Sequence, residues 1–268
     1  MIDLSIVIVS YNAREDLEQC LASLHDLQTA VSREIIVVDN ASSDGSAAAA
    51  GRWSDVRVIQ VDANRGFAAA NNIGIRASSG ENLLLLNSDT VVPRDAIDRL
   101  MQVLRQHPDA AVVGPRLVDA KGRAELSFGR MISPLNEIRQ KRLTLALARG
   151  DAAAVRRVEG MTRQQHWPDW VSGACLLVRR RDAEKAGLLD ERYFMYTEDV
   201  DFCAAIRACG RRVLFTPEVE ITHRRGRSAA AAPAATTAAY RRSHLAFYRK
   251  HYPALAPLLR LYLWVRHS

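Results

Sequence analysis

The stretch Leu83-Leu84-Leu85-Leu86-Asn87-Ser88-Asp89-Thr90 decides the fold, because four leucines run directly into a carboxylate set among small polar residues. The apolar run is too short to cross a membrane and has no helical periodicity, so it predicts a β-strand covered on both faces. Ligands of open parallel sheets collect at the carboxyl ends of such strands. Asp89 therefore lies where a divalent cation and a diphosphate are expected.

Apolar segments alternate with amphipathic ones through the first half of the chain. Strands are predicted at Leu4 to Ser10, Glu34 to Asp39, Val56 to Val61 and Glu81 to Asn87. Helices are predicted at Ala13 to Leu27, Gly45 to Trp53, Phe67 to Ser78 and Asp95 to Gln106. This alternation predicts right-handed βαβ units and an α/β fold, with a Rossmann-like, mainly parallel central sheet flanked by helices.

The second half of the chain has a weaker pattern. A strand is predicted at Ala110 to Val118, and a basic helix around Leu135 to Arg149. Further along the chain we expect strands at Trp170 to Arg179 and Arg212 to Phe215, and helices at Asp182 to Ala186 and Glu198 to Cys209.

The composition favours a folded, basic protein. The 268 residues are 48% hydrophobic and carry a net charge of +7. This charge suits a nucleotide, a polyphosphate or an anionic membrane surface, although a solvated basic surface explains it equally well. Nucleic acid is not expected as a partner. The four cysteines form no Cys-x-x-Cys pair, and the N-terminus has no signal-type segment, so we expect a cytoplasmic protein with reduced thiols, peripheral at the inner face of the cell membrane if the tail binds lipid.

The C-terminal tail is basic, aromatic and amphipathic. Residues 229–239 are nearly all alanine and fit either a helix or a linker. Residues 240–268 combine arginines with leucines, tyrosines and Trp264, a pattern that allows a helix to lie in a membrane interface. The alternative is a helix docked on its own domain, or on a second subunit to form a homodimer. Pro253 and Pro257 are expected to divide the tail into two pieces.

Polar residues follow the first three predicted strands. Ser10-Tyr11-Asn12 follows the first, and Asp39-Asn40-Ala41-Ser42-Ser43-Asp44-Gly45 follows the second. A carboxylate there can accept the imide N–H of a pyrimidine, and short polar side chains can reach ribose or phosphate. Ser42 and Asp44 also fit helix caps. Asn64-Arg65-Gly66-Phe67 follows the third strand, where a turn with a helix cap is the alternative.

Three further segments carry candidate chemistry. Asp89 could hold Mg²⁺ or Mn²⁺ against a diphosphate, although Asn-Ser-Asp is also a common turn. Thr197-Glu198-Asp199 opens a helix, where acids are favoured by the dipole but could also include a general base. His223 precedes Arg224 and Arg225; the imidazole could complete a metal site and the arginines could clamp a diphosphate, or the segment is simply a basic surface loop.

Taken in order, these motifs resemble the inverting family-two glycosyltransferases of the GT-A fold, and most closely their rhamnosyltransferase-type branch. The set is Ser10-Tyr11-Asn12, Asp39-Asn40-x-Ser42-x-Asp44-Gly45, Asn64-x-Gly66-Phe67, Asn87-Ser88-Asp89, Trp170-x-Ser172-Gly173-Ala174, Thr197-Glu198-Asp199 and His223-x-x-Gly226-x-Ser228. The resemblance covers about residues 3–250. It implies a GT-A domain over residues 1–228, with a nucleotide-sugar half to about 118 and an acceptor half from about 119, followed by the linker and helical tail over 229–268.

The resemblance also implies roles for the candidate residues. Asp39 would read uracil or thymine, Asp89 would hold the cation with His223 as a further ligand, and Asp199 would be the base that deprotonates the acceptor, tuned by Glu198. Other donor contacts are expected from Ser10, Asn12, Asn40, Ser42, Asn64, Gly66, Asn87, Ser88, Trp170, Gly173, Ala174, Arg224 and Arg225. The donor would be dTDP-rhamnose or a UDP-sugar, and the acceptor a cell-envelope glycan or a lipid-linked saccharide. Asn87 departs from the family pattern, because it replaces the first acid of Asp-x-Asp.

Three other classes compete with this interpretation. A nicotinamide-dependent enzyme should show Gly-x-Gly-x-x-Gly after the first strand, and a sugar nucleotidyltransferase should have a glycine-rich entry loop. The chain has Ser10-Tyr11-Asn12-Ala13-Arg14 instead. A nucleotide-sugar-binding protein that has lost catalysis stays open, although the Glu198-Asp199 pair argues against it.

Overall fold

The computed structural model describes residues 2–224 and 233–265. In this part of the chain the strands are β1 Leu4–Ser10, β2 Arg33–Asp39, β3 Val56–Gln60, β4 Asn82–Asn87, β5 Thr90–Val91, β6 Ala110–Val118, β7 Phe128–Gly129, β8 Trp170–Val171, β9 Cys175–Arg179 and β10 Arg212–His223. The helices are α1 Arg14–His25, α2 Ser46–Ala50, α3 Gly66–Ala77, α4 Ala96–Gln106, α5 Pro134–Ala148, α6 Ala152–Thr162, α7 Arg180–Lys185, α8 Glu198–Ala208, α9 Pro233–His251 and α10 Ala256–Val265.

Eight strands form one central sheet in the order β3-β2-β1-β4-β9-β6-β10-β5. All of them run in the same direction except β9 and β5, which are antiparallel to their neighbours. The mainly parallel sheet predicted from the sequence is therefore confirmed. Because β9 is reversed, its beginning lies at the same sheet edge as the carboxyl ends of β1, β2 and β4.

The leucine strand β4 is covered on both faces, as its sequence predicts. Leu83, Leu84, Leu85 and Leu86 are each at most 1% exposed. Leu84 and Leu86 pack with α1 and α4 on one face, whereas Leu83 and Leu85 pack with α8 and α9 on the other. Burial of each leucine stabilises the fold by about 1.5–3 kcal/mol.

One predicted strand is wrong in its extent. Trp170 to Arg179 is not continuous, because Ser172-Gly173-Ala174 forms a connection between β8 and β9. β8 instead pairs with β7 in a separate two-stranded sheet. The predicted strand at Arg212 to Phe215 is longer than expected, since β10 continues through a register shift to His223.

The tail contains two helices with different surroundings. Phe247 and Tyr248 of α9 are buried, at 0% and 3% exposure, in the core cluster that also holds Phe202. The tail therefore docks on its own domain through α9. By contrast, α10 exposes Leu258 and Leu261 by 64% and 57%. Residues 229–232 of the alanine-rich stretch lie outside the described residues. None of the helices in the described ranges is both long and apolar enough to cross a bilayer.

Candidate active site

Two buried oxygens mark the carboxyl ends of β1 and β2. Ser10 and Asp39 pair in register across these strands and are 0% and 2% exposed. Asp39 Oδ2 accepts the backbone N–H of Ser42 at 3.1 Å, but Asp39 Oδ1 and Ser10 Oγ have no hydrogen-bond partner. Buried polar atoms are rarely left unpaired, so this pair can take a donor from a ligand.

The loops after β1 and β2 are joined to each other by short hydrogen bonds. The backbone N–H of Asn12 donates to Ser42 Oγ at 3.0 Å, and Asn12 Oδ1 accepts the N–H of Ser43 at 2.8 Å. Asn12 and Ala41 both have positive φ, 48° and 65°, which is uncommon for residues other than glycine. Asn12 and Ser42 therefore hold the rim of the site in a fixed shape, and the neighbouring Tyr11 is 42% exposed.

Asn40 organises the third loop rather than facing open space. Both of its amide hydrogens are used, one by Asn64 Oδ1 at 2.9 Å and one by the carbonyl of Gly66 at 3.3 Å. Its oxygen accepts the N–H of Arg65 at 2.9 Å. The structure thus gives Asn40 a positioning role for Asn64 and Gly66. Gly66 has φ +82°, and a Cβ there would lie 2.2 Å from the carbonyl oxygen of Phe194, so no other residue fits without a shift.

The end of β4 lies next to the end of β10. β5 pairs antiparallel with β10, and this brings His223 Nε2 to 3.2 Å from Asp89 Oδ1 and 3.4 Å from Asn87 Nδ2. The backbone N–H of Arg224 donates to the carbonyl of Asp89 at 2.9 Å. Ser88 is half-buried in the same segment. Asp89 and His223 are distant in the sequence, and the fold brings their side chains together.

Glu125 is a site residue that the sequence analysis missed. It is 8% exposed, and its Oε2 lies 3.1 Å from His223 Nδ1, on the opposite side of the imidazole from Asp89. It comes from the stretch between Lys121 and Asp169, where the sequence pattern is weak. Burial lowers the pKa of His223, but hydrogen bonds and charge from Asp89 and Glu125 outweigh burial and raise it to about 9. An imidazolium here bridges the two carboxylates.

The donor atoms of this cluster suit a divalent cation. A carboxylate of Asp89 and an imidazole nitrogen of His223 are both ligands of Mn²⁺, and Glu125 would orient the imidazole from behind. In the described part of the chain no group of three or more His, Cys, Asp or Glu residues is arranged to hold an ion. The protein would therefore supply two ligands, and diphosphate oxygens and water would supply the rest.

The Ser172-Gly173-Ala174 connection joins this cluster to the acidic pair. The N–H of Gly173 donates to Asp199 Oδ2 at 2.9 Å, while the carbonyl of Ala174 accepts the N–H of Asn87 at 2.9 Å. A Cβ on Gly173 would lie 3.3 Å from Asp199 Cβ, so the glycine allows a close approach. Trp170 is 8% exposed and donates its indole N–H to the carbonyl of Arg130, which makes it a packing residue beneath this connection.

Glu198 and Asp199 at the start of α8 have different surroundings. Glu198 Oε2 is buried without a partner, and burial together with the charge of Asp199 raises the Glu198 pKa well above its usual range. Burial also raises the pKa of Asp199, but backbone N–H groups of Gly173 and Val200 stabilise its ionised form. The two carboxyls therefore differ, because the Glu198 pKa is raised by burial and by a neighbouring charge, whereas backbone hydrogen bonds oppose the rise in the Asp199 pKa. Neighbouring carboxyls with separated pKa values are typical of acid-base sites.

The loop before α8 is held in an unusual conformation. Tyr196 and Thr197 are consecutive residues with positive φ, 68° and 74°. The loop is fixed on one side by the N–H of Phe67, which donates to the carbonyl of Phe194 at 2.7 Å, and on the other by Ser243 of α9, which donates to the carbonyl of Met195 at 2.8 Å. Strained backbone of this kind persists only where surrounding contacts maintain it, and it is common at active sites.

The structure thus places Ser10, Asp39, Asp89, His223 and Asp199 on one edge of the sheet. Arg224 is exposed beside Asp89 and contacts it through a hydrogen bond from its backbone N–H to the Asp89 carbonyl. Arg225 lies outside the described residues.

The mainly parallel sheet with two reversed strands, flanked by helices, has the GT-A fold of solved glycosyltransferase structures. The structure aligns with that of the mannosyltransferase PcManGT from Pyrobaculum calidifontis in complex with GDP-Man and Mn²⁺, at a TM-score of 0.64 and 19% identity, over 96% of this chain and 68% of that one. It also aligns with S. aureus TarS, at a TM-score of 0.61 and 15% identity, over 83% of this chain and 60% of the TarS chain. At these identities the similarity shows the fold.

The chain belongs to glycosyl transferase family 2, whose sequence profile matches residues 5–184. It is 31% identical over 256 residues to the N-acetylglucosaminyl-diphospho-decaprenol L-rhamnosyltransferase of Mycobacterium tuberculosis, which covers 91% of this chain and 83% of that protein. It is 28% identical over 212 residues to the low-salt glycan biosynthesis hexosyltransferase Agl10 of Haloferax volcanii, which covers 76% of this chain and 62% of that protein. The family expected from the sequence motifs is confirmed.

Proposed function

We propose that this protein is an inverting, cation-dependent glycosyltransferase that transfers rhamnose or a related hexose from a nucleoside diphosphate to a lipid-linked cell-envelope saccharide. The observation that carries the proposal is the pair of unpaired buried oxygens, Asp39 Oδ1 and Ser10 Oγ, on the same sheet edge as the buried carboxyls of Glu198 and Asp199. Rhamnose is favoured by the 31% identity to a relative named as a rhamnosyltransferase.

The nucleobase is assigned to the ends of β1 and β2. Uracil and thymine each carry an imide N–H between two carbonyls, and Asp39 Oδ1 offers the acceptor that this group needs. Guanine carries a 2-amino donor beside its N1–H, so it would need a second acceptor next to Asp39 Oδ1. We therefore infer a uridine or thymidine diphosphate donor, with Asn12 and Ser42 shaping the rim around the ribose.

The diphosphate is assigned to the ends of β4 and β10. Asp89 and His223 would hold Mg²⁺ or Mn²⁺, and a cation bound there would stabilise the charge on the departing nucleoside diphosphate. Asn87 is neutral, and its side-chain amide nitrogen lies 3.4 Å from His223 Nε2, at the edge of the assigned cation site. Ser88, Arg224 and Arg225 stay predicted donor contacts.

Asp199 is assigned as the general base. It is held by backbone N–H groups of Gly173 and Val200, at 2.9 and 2.8 Å, so it keeps a fixed direction. The acceptor hydroxyl would transfer its proton to Asp199 as its oxygen attacks the anomeric carbon from the face opposite the nucleotide, which inverts the configuration. The raised pKa of Glu198 favours its protonated form, and a protonated Glu198 adds no second charge to the site and can donate to the acceptor.

The acceptor is assigned to the side of the site formed by the acceptor half and the tail. The lipid-linked class follows from the diphospho-decaprenol in the name of the Mycobacterium tuberculosis relative. Such an acceptor sits at a membrane, so we infer peripheral association of this cytoplasmic enzyme through α10, whose leucines are exposed. A homodimer through the tail stays the other arrangement for this surface.

The test is donor turnover by Asp199→Asn. This variant keeps the size of the side chain and one oxygen for the N–H of Gly173, but an amide does not accept the acceptor proton. We expect at least a hundredfold loss of transfer to a lipid-linked saccharide, measured by nucleotide release, with unchanged binding of the nucleoside diphosphate.

Glu184→Gln, on the exposed surface of α7, is the control and should behave as wild type. Full transfer activity in Asp199→Asn would reject Asp199 as the base. Nucleotide binding with no transfer in the wild-type protein would instead favour a protein that has lost catalysis.

A further inference from the structure

Helix α5 has no buried residue although it is 15 residues long. Its outward side carries Leu135, Ile138 and Leu145, which are 69%, 50% and 48% exposed. A helix of a globular protein normally buries such residues in the core. The exposure of all three indicates that this side of α5 contacts a protein or a membrane.

The same side of α5 is strongly basic. Arg139, Arg142 and Arg149 are exposed and alternate with the three apolar residues at helical spacings of three and four, and exposed Lys141 lies at the edge. In the described part of the chain none of these four cations forms an ion pair. We call the side formed by Leu135, Ile138, Arg139, Lys141, Arg142, Leu145 and Arg149 the α5 face.

Helix α5 is attached to the domain by its opposite side. Its only acid, Glu137, accepts the hydroxyl of Tyr248 and pairs with His244, both on α9. This fixes the rotation of α5 and directs the α5 face away from α9. The neighbouring helix α6 continues the charge, since residues 134–163 contain seven basic and three acidic residues.

This mixture of residues fits a bilayer better than a protein surface. The centre of a protein interface is depleted of charged residues, whereas here every apolar side chain has an arginine or lysine as a helical neighbour. Arginine and lysine stems can lie along acyl chains while their charges stay at the headgroups. Unpaired positive charges complement anionic phospholipids.

We propose that the α5 face is a membrane-binding surface that docks this protein on an anionic bilayer, separately from the tail helix α10. The proposed function supplies only the reason for membrane binding, because a lipid-linked acceptor would be presented at that bilayer. Leu135, Ile138 and Leu145 enter the interface and the four cations contact lipid phosphates.

The test compares full-length variants in flotation with phosphatidylcholine vesicles that contain or lack phosphatidylglycerol. Arg139→Gln/Lys141→Gln/Arg142→Gln should lower the partition onto phosphatidylglycerol vesicles by about tenfold or more. Arg94→Gln/Arg105→Gln/Lys121→Gln removes the same charge from exposed positions beside α4 and β6, and it should partition within about twofold of wild type. Leu135→Gln/Ile138→Gln/Leu145→Gln should also lose binding, and because these residues are exposed its thermal midpoint should be unchanged.

A third arm tests the tail with Leu258→Gln/Leu261→Gln. Additive losses in the tail and α5 variants support two separate contacts, and loss in the tail variant alone overturns the inference for α5. Equal flotation of the α5 variants and wild type would also overturn it, as would a wild-type dimer that the leucine variant dissociates, since the α5 face would then bind a second copy.

Donor hydrolysis without vesicles separates this inference from the proposed function. The α5 variants should hydrolyse donor as wild type does, and a loss would overturn the inference by placing the α5 face in the catalytic site. Wild-type protein that floats but neither binds nor hydrolyses nucleotide sugars would reject the proposed function and leave the α5 face standing.

Discussion

Glu125 supports His223 from behind. Its carboxylate lies 3.1 Å from Nδ1, so a proton on that nitrogen is shared with Glu125 and Nε2 is directed at Asp89. Carboxylates in this position orient a metal-binding histidine and make it a better ligand. Because Asn87 offers no charge, we propose that Glu125 would provide the anionic support that a first acid in Asp-x-Asp would otherwise give.

Replacing Glu125 should therefore weaken cation binding without removing a ligand. Glu125→Gln keeps an oxygen for His223 Nδ1 but loses the charge, and we expect a 10- to 100-fold rise in the dissociation constant of Mn²⁺ in the presence of nucleoside diphosphate, an order of magnitude typical of such substitutions. Free Mn²⁺ measured by electron paramagnetic resonance gives the constant. Glu220→Gln, on the exposed part of β10, should bind as wild type, and an equally tight Glu125→Gln would remove this role.

The buried carboxyl of Glu198 makes stability depend on pH. Its usual pKa is 4.5, and in the native state it is raised by burial and by Asp199. Between these values the native state holds a proton that the unfolded chain has released, so the free energy of unfolding falls as pH rises.

Glu198→Gln should remove much of this dependence. The variant cannot ionise at this position, so its thermal midpoint relative to wild type should rise as the pH increases above 4.5. Calorimetry at a series of pH values measures this difference. A difference that stays constant with pH would show that Glu198 is not held neutral in the native state.

Individual residues differ in how far the sequence could predict them. Asp39 and Asp89 end apolar strands, and this local signal is strong. Glu125 lies in a loop without periodicity, and only the pairing of β10 with β6, whose end bridges to Ala124, brings His223 to it. Asn40 looked like a ligand residue, but its amide is occupied by Asn64 and Gly66, which no local pattern reveals.

At the scale of elements, α9 is tied to the helix that carries the acidic pair. Asp201 of α8 is 2% exposed and accepts hydrogen bonds from Lys250 and His251 at 2.7 Å each and from the hydroxyl of Tyr193 at 3.1 Å. Lys250 also bonds Asp190 at 2.8 Å. This buried network of hydrogen bonds holds α9 against α8, in addition to the apolar packing of Phe247.

Removing Asp201 should destabilise the protein. Asp201→Ala leaves Tyr193 and His251 without this acceptor and leaves Lys250 with Asp190 alone, so we expect a loss of about 2–3 kcal/mol. Urea unfolding followed by tryptophan fluorescence measures it. Arg192→Gln, which removes a half-exposed pair with Asp190, should cost less than about 0.5 kcal/mol. A loss for Asp201→Ala no larger than this control would mean that the network does not hold α9.

Elements of the first half were predictable because local pattern and fold agree there. Strands β1 to β4 and helices α1, α3 and α4 lie within a few residues of the expected positions. In the second half, long-range pairing decides the structure. The reversal of β9 between β4 and β6, the extension of β10 past Pro217 and the helix α6 have no strong local signal, because each depends on neighbours distant in sequence.

At the scale of the whole molecule, the strand ends form a line. Recognition of the nucleobase is assigned to the ends of β1 and β2, and binding of the diphosphate to the ends of β4 and β10. The general base is assigned to the start of α8, which is joined to β4 through Gly173 and Ala174. Helices α5 and α10 are both attached to α9, and α9 in turn holds the loop before α8. Membrane contact and catalysis would therefore share one helix as their support.

The central claim is that Asp39 reads the nucleobase of the donor. Titration calorimetry of uridine, thymidine and guanosine diphosphates against wild type and Asp39→Asn tests it directly, because the variant keeps the side-chain size but can present an amide donor to the imide N–H. We predict that wild type prefers a pyrimidine nucleotide and that Asp39→Asn weakens it about 10- to 100-fold, the range of a hydrogen bond to a charged group. Tighter binding of guanosine diphosphate, or unchanged pyrimidine binding in Asp39→Asn, would contradict the claim.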